Sequence, residues 1–429
     1  MKPAPIFVLT VLFAALTSVR VEAREKLTLG DDRDPVSTFV KQGDALMQRS
    51  RDKLDPSLYA PAEEAYTKAL RIDSKRVGAL LGIAWVRNSQ HEFADGRRWA
   101  EAALAIDPTQ PDAYALIGDG EVELGDYNAA FGSYQKALDC RPDQSSYSRA
   151  AHLLWVTGDV AGARDLMRRA IESGGIAPEN NAWCRARLAL IFYYAGNLDG
   201  ADEVLAPALC DTPNDPHVLV AAGRVLAARG DYKGAITAFE HSNEIAPSHD
   251  ALAALVDLYA KTGRDEDSRK AFDAVIAFNG GHPLIQIPGV APHTHPSYQV
   301  ALFRADHDRD IDKALAEAEA DYAQFPNVFV ADALAWCQFK AGKLADARKS
   351  IQAALRWNTP VADFHFHAGM IFAKAGDAGR AKAEFAEARR LNPNFDRIPS
   401  QFATEDRAVD SSDSRGREVA DISVSTHSD

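Results

Sequence analysis

The chain has 429 residues, 46% hydrophobic and 25% charged, a balance ordinary for a folded protein and far from that of a disordered one. Its formal net charge of -13, with no basic stripe, argues against nucleic acid and a strongly anionic membrane surface as partners. Four cysteines, Cys140, Cys184, Cys210 and Cys337, form no CxxC pair, so a zinc or dithiol redox site has no support.

In chain order, residues 1–23 come first. They combine Lys2, an apolar run from Ile6 to Leu16, and Val21-Glu22-Ala23 before Arg24, the pattern of a cleavable secretory signal peptide. The run is short of the roughly 20 residues that a membrane span needs. The expectation is an exported protein, periplasmic or secreted, with no transmembrane span in the mature chain. Such a compartment permits disulfides. Cys184 and Cys210 sit at similar heights on two antiparallel helices, but the geometry of a bridge is strict and two thiols are expected.

From 34 to 279 the chain echoes itself. Pro108 and Pro142 are 34 residues apart, as are Pro213 and Pro247, and Gly196 and Gly230. Such a period marks a solenoid of helical hairpins that bury their apolar faces against one another. Turn signals fall at Gly125, Gly158, Gly196, Gly230 and Gly263, and again at Gly342 and Gly376. Each second helix then carries a small residue (Ala130, Ala163, Ala201, Ala235, Ala347, Ala381) and a larger one four places on (Tyr134, Met167, Leu205, Phe239, Ile351, Phe385). Glycine takes the left-handed conformation that ends a helix, and the Asp or Asn after it caps the next one. The spacing widens between Gly158 and Gly196, where SGGIAPEN reads as a loop. Residues 280–296, rich in Pro, Gly and His, cannot be a regular helix and form a seam. A second array follows over 297–395, its first turn carrying Arg309 in place of glycine. The polar stretch 396–429 is expected to be disordered.

The clearest copy, PDAYALIGDGEVELGDYNAAFGSYQKALDCRPD from Pro111, resembles the tetratricopeptide repeat (TPR) at Tyr114, Ile117, Gly118, Ala130, Tyr134 and Pro142. Gly118 and Ala130 are expected to face one another where the two helices cross, and Tyr127 to plug the hairpin base. The stretch from Ala301 to Trp357, followed by that from Phe366 to Phe385, is similar to a widespread group of exported bacterial TPR proteins that supplies no activity to transfer. The resemblance implies an all-α, right-handed superhelical solenoid of about ten stacked hairpins, some degenerate. It also implies that first helices line a concave groove, with places 2, 5, 9, 12 and 13 of each unit pointing in. Those places hold Trp85, His152, Trp155, Trp183, Tyr193, Tyr194, Arg224, Phe303, Trp336, Phe339, Phe366 and Met370. Aromatic residues and arginine dominate recognition hot spots, so a protein or peptide partner is the expectation. The lysine and asparagine clamp by which some TPR domains seize a terminal carboxylate is absent: Leu81 with Trp85, Ala115 with Asp119, Ser148 with His152, and Ala186 with Leu190 stand there instead.

No GxSxG, P-loop, HExxH or GxGxxG motif is present, and the units leave no room for a separate catalytic domain. The reading is a non-enzymatic scaffold of the cell envelope that needs no cofactor. A metal-handling accessory protein is the alternative, through the imidazoles of His282, His293, His295 and His307 in and after the seam. If the leader works, N-terminal sequencing of the exported protein will begin near Arg24. A chain recovered from the cytoplasm still starting at Met1 would remove export.

Overall fold

The computed structural model describes residues 34–53, 55–174, 178–279, 298–392 and 399. The leader, the seam 280–296 and, apart from 399, the tail 396–429 lie outside them, as does the centre of the SGGIAPEN loop. Twenty helices pair into ten antiparallel hairpins among the described residues. Units 1 to 3 are α1 (Pro35–Lys53) with α2 (Tyr59–Ile72), α3 (Val77–Ser89) with α4 (Phe93–Ile106), and α5 (Pro111–Glu123) with α6 (Tyr127–Cys140). Units 4 to 7 are α7 (Gln144–Val156) with α8 (Val160–Ser173), α9 (Pro178–Tyr194) with α10 (Leu198–Asp211), α11 (Pro216–Ala228) with α12 (Tyr232–Ile245), and α13 (His249–Lys261) with α14 (Asp265–Asn279). Units 8 to 10 are α15 (Tyr298–Asp306) with α16 (Ile311–Gln324), α17 (Val328–Lys340) with α18 (Leu344–Leu355), and α19 (Ala362–Lys374) with α20 (Ala378–Leu391). No described helix is long and apolar enough to cross a membrane.

Local chemistry accounts for the hairpins. All seven turn glycines have φ between +71° and +86°, and the Asp or Asn after five of them accepts a hydrogen bond from the first turn of the next helix: Asp126, Asp159, Asn197, Asp231 and Asp377. Where glycine is missing, His91 in unit 2 and Asp308 in unit 8 take the left-handed conformation. The six small residues of the second helices are fully buried, and each larger residue four places on is at most 4% exposed.

The side chain that comes nearest to Gly118 is that of Tyr134. A Cβ on Gly118 would lie 2.4 Å from Tyr134 Cε1, and the same approach recurs between Gly223 and Phe239 at 2.8 Å and between Gly369 and Phe385 at 2.5 Å. The glycine makes room for a ring sixteen residues later. Where that later residue is aliphatic, the earlier one is alanine: Ala151 with Met167, Ala189 with Leu205, Ala335 with Ile351, all buried. The chain thus keeps the summed volume of each crossing nearly constant, as close packing demands.

The larger surprise is long-range. Units 8 to 10 fold back onto units 2 to 4, so that the interunit loops of the C-terminal array meet the hairpin turns of the N-terminal one. Asn327 Nδ2 donates to the Glu123 carbonyl at 3.0 Å, the Val328 amide to the Tyr127 hydroxyl at 3.2 Å, and the Thr359 hydroxyl to the Val156 carbonyl at 2.6 Å. Rings seal the joint: Phe93 on Phe325, Tyr127 on Trp357, and Trp155 on Phe329. One core cluster as a result joins buried residues between Val122 and Val225 to those between Ala301 and Ala388. These bonded pairs are 204, 201 and 203 residues apart, about six repeats of 34. The superhelix therefore completes one turn in about six units and settles on itself.

Glycines 125 and 158 serve this closure as well as their own turns. A Cβ at Gly125 would lie 2.6 Å from the Pro326 carbonyl oxygen, and one at Gly158 would lie 2.9 Å from the carbonyl oxygens of Trp357 and Asn358; around Gly230, Gly342 and Gly376 there is open space. Asparagine tolerates the left-handed conformation. Gly230→Asn should thus leave stability nearly unchanged, whereas Gly125→Asn should cost about 1 to 3 kcal/mol by overpacking the joint, read by denaturant unfolding. Equal effects would show that units 3 and 9 do not touch.

A second prediction concerns Asp321 on α16. Its carboxylate is buried, accepts the Tyr298 amide at the start of α15, and has one oxygen, Oδ1, without a hydrogen-bond partner. Burial pushes its pKa up to about 7, against 3.8 for the ordinary group. The folded state then holds a proton that the unfolded state releases, so this residue's contribution to stability falls as pH rises from about 4 to about 7. Thermal unfolding of wild type minus that of Asp321→Asn should show this slope. A flat difference across that window would contradict the assignment.

Candidate partner-binding surface

First helices present their inward places to a half-open cavity of about 840 Å³ that both arrays help to build. One wall is α9, α11 and α13, with Tyr193, Tyr194, Arg224, Asp250 and Asp257; the other is α15, α17 and α19, with Tyr298, Asp306, Phe329, Asp332, Asp363 and His367. Arg224 is held in place rather than loose: it donates to the Tyr194 hydroxyl and to Asp250, each at 3.0 Å. Nearby, Arg187 donates to Nδ1 of His152 at 3.0 Å. Desolvation, then the Arg187 charge, lowers the His152 pKa to about 3, so the ring accepts that bond as neutral imidazole. A smaller cavity of about 340 Å³ lies on α1, α3, α5 and α7 and is lined by Trp85, the acids Asp44 and Asp112 and the bases Arg51 and Arg149.

The expected groove residues divide into two groups. Trp155, Phe303, Trp336 and Phe366 are buried, 3 to 6% exposed, because the chain itself covers them. Trp155 lies between His152, Tyr194 and Phe329 of the docked array. Trp336 is stacked on Phe339 and His367 and donates Nε1–H to Asp306 at 3.0 Å, which ties units 8, 9 and 10 together. Phe303 packs on Phe272 and His307, bridging the two arrays beside the seam, and Phe366 packs on Trp336 and Phe385. These rings are core by burial. The other group keeps accessible surface: Trp183 is 37% exposed beneath the Arg187 guanidinium, and Trp85, His152, Tyr193, Tyr194, Arg224, Phe339 and Met370 are half-buried.

Of the four imidazoles considered for metal, His282, His293 and His295 lie outside the described residues. His307 is engaged by protein: Nδ1–H donates to the Phe303 carbonyl at 2.8 Å and Nε2 faces Asp257 at 3.3 Å. Burial alone would lower its pKa, but the Asp257 carboxylate and that carbonyl raise it. Among the described residues no three His, Cys, Asp or Glu side chains converge as a metal site. All four cysteines are free thiols, Cys184 buried and Cys210 exposed.

Sequence reasoning passed over the aspartates. Asp250, Asp257, Asp306, Asp332 and Asp363 occupy the same inward places as the aromatic residues, in units 7 to 10. The signal that could have found them is the place rule itself. Taken singly, an aspartate on a helix reads as solvated surface, whereas the rule applied without regard to residue type selects all five.

Two family models, both described as Tetratricopeptide repeat, match residues 115–182, 186–248 and 333–394, and 226–286, together more than half of the chain. Among curated proteins, the "Protein CTR9 homolog" of Arabidopsis thaliana is 24% identical over 251 residues, 56% of this chain and 22% of its own. The "Cellulose synthase operon protein C" of Pseudomonas fluorescens is 24% identical over 199 residues, 44% of this chain and 15% of its own. The match thus spans 22% and 15% of these relatives' lengths. Among solved structures, Pseudomonas aeruginosa pilF is 16% identical with a TM-score of 0.40, over 48% of this chain and 92% of that one. With the glycine turns, the ten hairpins and the two family models in hand, the chain belongs to the tetratricopeptide repeat family.

Proposed function

We propose that the protein is an exported scaffold that holds a protein or peptide partner against its inner face, in the assembly or maintenance of a cell-envelope complex. The observation that carries this reading is the half-open cavity, whose lining is drawn mainly from six first helices and mixes tyrosines with fixed charges. Its volume lies within the roughly 300 to 1,000 Å³ of sites that enclose a ligand. Export rests on the leader pattern at residues 1–23. The envelope setting is suggested further by the similarity to the cellulose synthase operon protein of Pseudomonas fluorescens. No motif of catalysis accompanies the repeats, and none of the reading depends on one.

The two groups of tryptophans give the test. Trp155→Ala and Trp336→Ala remove buried rings and should cost about 3 to 5 kcal/mol of stability. Trp183→Ala should unfold like wild type and weaken capture of the partner from envelope extract by roughly 2 kcal/mol if it is a hot spot. Unfolding and capture are to be measured on the same variants. Capture that is unchanged in Trp183→Ala and in a Tyr194→Ala, Arg224→Ala double variant that still folds would remove the inner face as the binding surface.

A further inference from the structure

The first helices repeat one charged contact and then break it. Arg149 and Arg187 stand at the same place of units 4 and 5, nine residues before Gly158 and Gly196. Asp119 and His152 share a second place in units 3 and 4, six residues before Gly125 and Gly158. In the first instance the arginine reaches back one unit to an acid: Arg149 Nε donates to both carboxylate oxygens of Asp119, at 2.8 and 3.0 Å. In the second it reaches back in the same register and meets an imidazole, Arg187 donating to His152 Nδ1 at 3.0 Å. That ring is kept neutral by desolvation and then by the Arg187 charge. The negative charge that Asp119 brings to Arg149 is therefore missing at Arg187.

Among the described residues no carboxylate takes its place as an ion-pair partner of Arg187. Asp250 attracts Arg187 from α13 but is paired with Arg224 at 3.0 Å, and Arg224 itself repels Arg187. Burial works against the charge, yet a guanidinium keeps its proton at any physiological pH. The bond to His152 uses one of its five N–H donors. Arg187 is half-buried, and its guanidinium lies 5.8 Å from the centre of the Trp183 ring, one helical turn earlier on α9. A partly dehydrated charge without a counter-charge is costly, and a carboxylate offers it two parallel hydrogen bonds as well as the charge. Trp183 adds an exposed apolar face that a small acid would leave uncovered and a peptide would cover. On either side Arg149 and Arg224 are matched by Asp119 and Asp250, so the place suits one carboxylate rather than a row of them. We infer that Arg187 receives a carboxylate side chain from an acidic peptide segment of the partner, with the neighbouring peptide residue resting on Trp183. This rests on the scaffold reading and gives its partner a chemistry.

The probe is a labelled, end-capped peptide of glutamate interspersed with leucine, glycine and serine, titrated against the full mature chain by anisotropy at several salt concentrations. The same peptide with glutamine for glutamate is the control. Wild type should bind the glutamate peptide more tightly than the control, and salt should weaken that binding. Arg187→Gln should weaken it roughly tenfold or more, the usual scale for a hydrogen bond to a charged group. The same variant should unfold no earlier than wild type, since it removes a charge without a counter-ion. His152→Asp sets at Arg187 the acid that Asp119 sets at Arg149, so it should weaken binding as Arg187→Gln does, whereas the neutral His152→Asn should bind like wild type. Arg169→Gln, exposed on α8, should also bind like wild type. Equal binding of the two peptides, no loss in Arg187→Gln, or the same affinity in both His152 variants overturns the inference. So does earlier unfolding of Arg187→Gln, which would make the residue structural. A peptide of the chain's own residues 400–429 is a further probe: if it binds more tightly than the glutamate peptide and loses affinity in Arg187→Gln, the site belongs to the chain's own tail and the partner is removed from it. If the glutamate peptide fails while Trp183→Ala still weakens capture from envelope extract, the carboxylate site fails and the scaffold reading stands; failure of both removes the inner face altogether.

Discussion

The pitch of the superhelix governs everything else. A stack of hairpins is in principle open-ended, since each unit needs only its neighbours. Here the rotation from unit to unit brings the loops at Phe325-Pro326-Asn327 and Trp357-Asn358-Thr359 against the turns at Gly125 and Gly158 after a near-constant interval of 201 to 204 residues. The contact repeats with the same offset at two successive units, as one full superhelical turn requires. A quasi-linear array becomes a body with an inside. The joint is built from backbone carbonyls and amides, from two glycines without room for a Cβ, and from rings such as Trp357 that would otherwise be exposed at loop tips.

That closure decides what the inner face can be. By covering Trp155 with Phe329, it turns a ring that stands at a groove position into a structural one, and it sets α15, α17 and α19 opposite α9, α11 and α13. The cavity exists only between these two walls. Its aspartates meet through the same event: Asp250 and Asp257 belong to the array before the seam, and Asp306, Asp332 and Asp363 to the array after it.

The hairpins were legible in the sequence because their determinants are local. Gly125-Asp126-Tyr127 contains a left-handed residue, a cap and a plug within three positions, and the structure realises all three. The facing of Gly118 was legible only in part: small and large residues alternate along the crossing, but which side chain comes nearest depends on helix rotation, and at Gly118 it is Tyr134. Closure was not legible. Gly125 and Gly230 carry the same turn signal, and nothing within either repeat distinguishes the glycine pressed against Pro326 from the one facing open space. For the same reason Trp155, Trp183 and Trp336 looked equivalent, since periodicity gives the face of a helix and not what later covers it.

The most direct test of closure is a distance across the joint. Spin labels at the exposed positions Asn128, on the first turn of α6, and Gln352, near the end of α18, can be placed in a chain whose exposed Cys140 and Cys210 are replaced by serine. Closure predicts one narrow distribution at short distance by double electron–electron resonance, which broadens when Tyr127→Ala and Asn327→Ala remove the bonds that hold the joint. A single long distance in the otherwise native chain, unaffected by those changes, would show an open superhelix and contradict the account.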